Sequence, residues 1–149
     1  MTPDHTSHTY RDHGHGDAAD ELHLTYEDRF LRRKVLPLTS GARVLVDLAQ
    51  TTSLDHGGVL VTEAGAELRI VAAEEDLLKV SGDDLVRLAW HIGNRHTPCQ
   101  IETGHVLIQR DHVLRDMLER LGATVEEVRA PFTPEGGAYG HGRTHGHSH

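Results

Sequence analysis

Apolar and polar residues alternate over Leu22, Leu24 and Tyr26, the period-two pattern of a half-buried strand. Beyond a Thr39-Ser40-Gly41 turn, residues 43–48 form an aliphatic, β-branched run. Asp55-His56-Gly57-Gly58 is a strong turn signal, and residues 59–62 and 67–71 flank Gly65 as a hairpin would. Residues 21–73 therefore predict a small all-β domain. The period changes after Glu74-Glu75-Asp76. Residues 77–80 read as a strand, and Ser81-Gly82-Asp83-Asp84 supplies capping side chains for a helix. Leu85, Leu88, Ala89 and Ile92 follow at helical spacing, with Gly93-Asn94 suited to end it. Residues 100–102 and 106–108 read as strands joined around Gly104. Asp111 caps a second helix whose stripe is Leu114, Met117, Leu118 and Leu121, ended by Gly122, and residues 124–128 close the series as a strand. The order βαββαβ over about sixty residues predicts a ferredoxin-like domain, and the chain as a whole is α+β.

The two ends carry no such periodicity. Residues 1–20 hold His5, His8, His13 and His15 among Asp4, Asp12 and Asp17, and predict a disordered, His-rich leader. Pro131, Pro134, Gly136 and Gly137 release the chain into a second polar segment, residues 133–149, with His141, His145, His147 and His149 spaced by glycine, serine and threonine. Eight of the 14 histidines thus sit in the termini. Neutral imidazole ligates nickel, copper, zinc and cobalt, and flexible spacers let several rings converge on one ion. The C-terminal run is interrupted by Gly142, Arg143 and Thr144, unlike the unbroken histidine runs of expression tags, and reads as a native metal-collecting tail. The N-terminal cluster is either a solubilising leader or an added metal store.

Composition narrows the classes. A formal charge of −8 argues against broad nucleic-acid binding, and 37% hydrophobic with 4% aromatic residues predicts modest, aliphatic cores. No apolar run approaches the roughly 20 residues that span a bilayer. No apolar stretch follows a basic start, and the single cysteine, Cys99, suits a reducing compartment, so a cytoplasmic location is expected.

Inside the second domain, His96 follows the first helix on an irregular segment, where a ring can project as an exposed ligand or bond the last helical carbonyls. His112 lies in the first turn of the second helix, where the dipole disfavours imidazolium while Asp111 and Asp116 favour it. His91, on a helix flank, and His105, at a hairpin, are weaker candidates. Cys99 is near enough to His96 in sequence for a mixed thiolate–imidazole site, or is a small core residue. Arg29, Arg32, Arg33 and Lys34 form a basic patch, read as a solvated face or a docking spot for an acidic partner. The spacings of a zinc hydrolase, a phosphate-binding loop and a nucleophile elbow are all missing, so metal handling without catalysis is the simpler reading.

The segment His91-Ile92-Gly93-Asn94-Arg95-His96, followed by Pro98 and Gln100-Ile101, resembles the hallmark of UreE, the urease accessory nickel metallochaperones. Asp111-His112-Val113-Leu114 with Met117-Leu118 and Leu121-Gly122 is similar to that family's second-helix motif. Ala130-Pro131-Phe132, Pro134-Glu135, Gly137-Ala138-Tyr139 and the histidine tail match its ending. Leu24-Thr25-Tyr26-Glu27-Asp28-Arg29 with Arg32-Arg33, and Val71-Ala72-Ala73-Glu74-Glu75, are similar to its first domain, so the resemblance spans residues 22–149.

The resemblance implies a peptide-binding-type β-domain at 21–73 and a ferredoxin-like metal-binding and dimerisation domain at 74–132. It implies a homodimer in which His96 meets its symmetry mate and the pair binds one Ni(II). His145 or His147 would complete the shell, with His141 and His149 as further tail ligands, and Zn(II) or Cu(II) could occupy it in vitro. Some members carry a surface histidine pair ending at the position of His112; here its partner position is Arg110. Members commonly begin with a strand where this chain has its first histidine cluster. The implied role is nickel delivery to a urease-maturation GTPase and apo-urease, with no catalysis of its own. Two rivals are nickel or zinc storage acting through the tails, and a metal-dependent hydrolase, for which a third rigid ligand is missing.

Overall fold

The computed structural model describes residues 2–136, and the chain divides into two compact units meeting at Ala73–Glu74. The first is all-β: β1 (His5–Arg11), β2 (Asp20–Leu24), β3 (Phe30–Pro37), β4 (Arg43–Ser53), β5 (Val59–Thr62) and β6 (Glu67–Ala72). They form one sheet in the order β2-β6-β5-β1-β4-β3. β1 runs parallel to β4 and β2 parallel to β6; the other neighbours are antiparallel. No helix lies among the described residues of this unit, so the sheet's apolar face must be covered by curling on itself. Alternate residues of β4 (Val44, Val46, Leu48) and β6 (Leu68, Ile70) join Leu22, Leu24, Leu36 and Leu60 in one buried cluster. Register shifts at Ser7/Thr9 and Leu31/Arg33 supply the local bends that such curling needs.

β1 corrects the expectation of a disordered leader at residues 1–20. His5–Arg11 sits inside the sheet, between β5 and β4. Its fully buried polar side chain is Ser7, whose hydroxyl donates to the Val61 carbonyl at 2.7 Å, with the Thr9 carbonyl 3.1 Å away as the alternative acceptor. Tyr10 packs against the core, and its hydroxyl accepts the Asp55 N–H at 2.9 Å. A ladder on both sides satisfies the backbone, so Thr6, Thr9 and Tyr10 hold a strand that apolar patterning does not reveal. β3 also went unread in the sequence: the bulge at Leu31/Arg33 puts its buried residues, Leu31 and Leu36, out of alternation.

The second unit holds β7 (Glu74–Ser81), α1 (Leu85–Asn94), β8 (Gln100–Glu102), β9 (His105–Gln109), α2 (His112–Arg120) and β10 (Thr124–Pro131). Its sheet has the order β10-β7-β9-β8, every neighbour antiparallel. Leu88 and Ile92 of α1 and Leu114 and Leu118 of α2 pack with Leu78, Val80, Val106, Ile108 and Val125, so both helices cover one face. The expected caps are in place. Asp84 accepts the Arg87 N–H at 3.3 Å, and Asp111 accepts those of Val113 and Leu114 at 2.8 and 3.1 Å. Gly122, at φ +92°, follows the C-terminus of α2 as predicted.

Candidate metal centre

The end of α1 departs from the sequence expectation in an instructive way. Gly93 and Asn94, the residues best suited to a left-handed exit, both remain helical. The turn falls two residues later, on His96, at φ +58°. Among the described residues His96 is the one non-glycine residue in that region, a conformation costing roughly 1–2 kcal/mol for a side chain with a Cβ. The N–H groups of Arg95 and His96 both reach the Gly93 carbonyl, the latter at 2.9 Å, and Thr97 N–H turns back to Ile92. Backbone donors therefore satisfy the helix end, and His96 is carried outward on the exposed side of the turn. The one left-handed non-glycine residue among those described is thus an exposed imidazole.

His112 is exposed at the first position of α2. Together with Arg95, Val113, Asp116, Met117, Arg120 and Leu121 it lines an open groove, so the segment that bears His96 runs beside the start of α2. That neighbourhood carries two guanidinium groups against one carboxylate, which disfavours a cation held there by His112 alone. Arg110 donates to the Val128 carbonyl at 3.1 Å and pairs with Glu127 at 3.7 Å, binding α2's approach to β10. The paired-histidine form of a site at 110 and 112 is thus replaced by a structural arginine.

The remaining candidates have local roles. The half-buried His91 meets Trp90 edge-on, ring centroids 5.0 Å apart, and His105 opens β9 opposite Glu102. Burial, with the Glu135 charge adding to it, pushes the Cys99 thiol up to about 11. Without a metal it stays a thiol at neutral pH. Arg29 of the basic patch is buried and donates to the Leu24 carbonyl at 3.0 Å, whereas Arg32 and Arg33 pair with Asp47. Among the described residues no three histidine, cysteine, aspartate or glutamate side chains are grouped to hold a metal. His141, His145, His147 and His149 lie outside the described residues.

Two relationships escaped the sequence reading: the groove joining Arg95 to His112, and the carboxylates around the N-terminal histidines. His8 Nε2 is 3.2 Å from Glu63, and its Nδ1 2.9 Å from the Asp47 carbonyl. His13 Nδ1 is 2.6 Å from Asp12. The partners of His8 lie 39 and 55 residues away, beyond any local pattern.

The family model of the N-terminal domain of the UreE urease accessory protein matches residues 4–73, and that of its C-terminal domain residues 75–149. The chain belongs to the UreE family. It is 65% identical over 138 residues to the urease accessory protein UreE of Ruegeria sp. strain TM1040, covering 89% of this chain and 78% of that one. Over 137 residues it is 63% identical to that of Ruegeria pomeroyi, covering 91% and 92%. The Brucella abortus protein is 49% identical over 131 residues, covering 85% and 77%. The first family match begins at residue 4 and so includes β1, which makes the N-terminal histidines part of a UreE domain rather than an appendage. No described helix is long and apolar enough to cross a membrane.

Proposed function

We propose that the chain is a cytoplasmic nickel carrier for urease maturation, binding Ni(II) between two copies through His96 of each. The observation that carries the reading is the exposed, left-handed placement of His96 within the Gly93-Asn94-Arg95-His96 segment, in a chain of the UreE family. The absence of a three-ligand group among the described residues suits a shared site: one chain gives one fixed imidazole, and further ligands come from the second chain and from His141, His145, His147 and His149. Few fixed ligands favour handover, since ligands from outside the folded unit can leave singly as an acceptor's ligands arrive. The acceptors in this reading are a urease-maturation GTPase and then apo-urease. His112 is a peripheral ligand at most, and Zn(II) or Cu(II) could compete in vitro.

Homodimerisation through residues 74–132 draws support from the exposed apolar side chains of that unit. Val86, Trp90, Ile101 and Val113 are 53–83% exposed, apolar side chains that a second copy would cover. The βαββαβ order and antiparallel sheet favour a ferredoxin-like reading of this unit, with the β-unit as a peptide-binding module.

The test is nickel calorimetry on a chain whose dimer mass is established by sedimentation. The intact chain is compared with His96→Ala and with a version ending at Gly140. Loss of one tight site per dimer in His96→Ala, with truncation removing mainly weaker sites, is the expected result. A tight site unchanged in His96→Ala overturns the proposal and leaves tail-based storage. Metal affinity should fall as pH drops through the range where imidazoles protonate, because ligands must be neutral.

A further inference from the structure

The loop between β1 and β2 carries Asp12-His13-Gly14-His15, and its histidines are held together rather than merely close in sequence. The ring centroids of His13 and His15 lie 5.4 Å apart with planes at 69°. An ionised carboxylate only accepts, so in the neutral ring the 2.6 Å contact with Asp12 places the His13 proton on Nδ1 and leaves Nε2 with a lone pair. A carboxylate on the far nitrogen is how metal-binding histidines are commonly oriented and made more basic.

The loop itself is pinned. The N–H of His15 reaches both oxygens of the Glu67 carboxylate, at 3.0 and 3.1 Å. Arg11 pairs with the same carboxylate at 3.2 Å, and the Ala19 N–H donates to the Glu67 carbonyl at 2.9 Å. Gly14 fits because it has no side chain: a Cβ there would come within 3.0 Å of the Glu67 carboxylate and 3.1 Å of Val59. Both rings therefore stand on a backbone fixed to the sheet.

We propose that His13 and His15 form a divalent metal site of the imidazole-preferring class, nickel, copper or zinc, separate from His96. At a metal–nitrogen distance of about 2 Å, a ligating ring's centroid stands about 3 Å from the ion, so two such rings on one tetrahedral ion have centroids about 5 Å apart. The observed centroid separation of 5.4 Å matches that spacing, and rotation of the side chains would bring the two lone pairs onto one ion. Two imidazoles leave open positions for water or incoming ligands, so this is a weaker, exchanging site, a point of entry on the β-unit. It stands whether or not His96 binds nickel.

The test uses the full chain with ¹⁵N-labelled histidine and zinc chloride, reading ring nitrogens by NMR and assigning them with His13→Asn and His15→Asn. The expected result is that both rings respond at the same zinc level, His13 through Nε2 while Nδ1 keeps its proton. His15→Asn should abolish the response of His13, and Asp12→Asn should weaken the joint response about tenfold. Rings that respond at different zinc levels, or a response untouched by Asp12→Asn, overturn the proposal. The wild-type titration alone decides the first point, so a variant that fails to fold does not shelter it.

Discussion

Histidines of the two units are positioned by different means. In the β-unit, carboxylates brace the rings: Glu63 at His8, Asp12 at His13, and Glu21 at His23. In the second unit, the backbone at His96 is set by a helix end closed by N–H donors, with the left-handed residue displaced onto this histidine. Side-chain bracing depends on protonation and yields to pH. Placement by backbone conformation does not, and its cost is carried as strain in every state of the site. A carrier that must present one imidazole steadily has reason to use the second means.

Four substitutions or measurements probe this contrast, in decreasing order of effect. Cys99 marks how far the second unit withholds its other soft ligand. With the thiol raised from 9.0 to about 11, its thiolate fraction at pH 8 falls about a hundredfold, and alkylation by iodoacetamide should slow in proportion. Gly58→Ala attacks the packing of the β-unit alone, at the end of β1. A Cβ there would meet the Tyr10 ring at 2.7 Å and the Arg11 carbonyl at 2.9 Å, so unfolding in urea should show a loss of about 1–3 kcal/mol with nickel binding at His96 intact. His96→Gly should do the reverse, raising stability by about 1 kcal/mol as the strain is released while the tight nickel site disappears. A His96→Gly chain no more stable than the wild type would show that the turn is not strained.

The smallest effect concerns His8. Its pKa is raised above 6.5, first by the hydrogen bond to the Asp47 carbonyl and then by that to Glu63. A group whose folded value is raised contributes stability that is complete below its unfolded value and is lost as pH climbs through the folded one. His8→Ala should therefore destabilise slightly near pH 5.5 and be silent near pH 8.5, as thermal midpoints at the two values would show. A penalty equal at both would assign His8 to packing instead.

Much of this was legible from residue order. The two helices could be placed by their stripes and by Asp84 and Asp111, because capping and periodicity act within a few residues. The Gly65 hairpin followed from the same local rules. β1 was hidden because histidine, threonine and serine mark an unfolded segment by composition, while the ladders that hold the strand come from β4 and β5. β3 was hidden by its bulge. His96 could be named as a candidate from its motif, but its backbone conformation could not: Gly93-Asn94 offered the easier exit, and the helix runs through it.

β1 also bears on how the protein is made. β1 is synthesised roughly forty to fifty residues before its neighbours, β4 and β5, and β2 waits similarly for β6. Nothing in the nascent N-terminus can be completed locally. The sheet cannot be completed until β6, ending at Ala72, has been made. His8 is consequently exposed during synthesis without the Asp47 carbonyl and the Glu63 carboxylate that later hold it, and the order of translation runs against the order of the sheet.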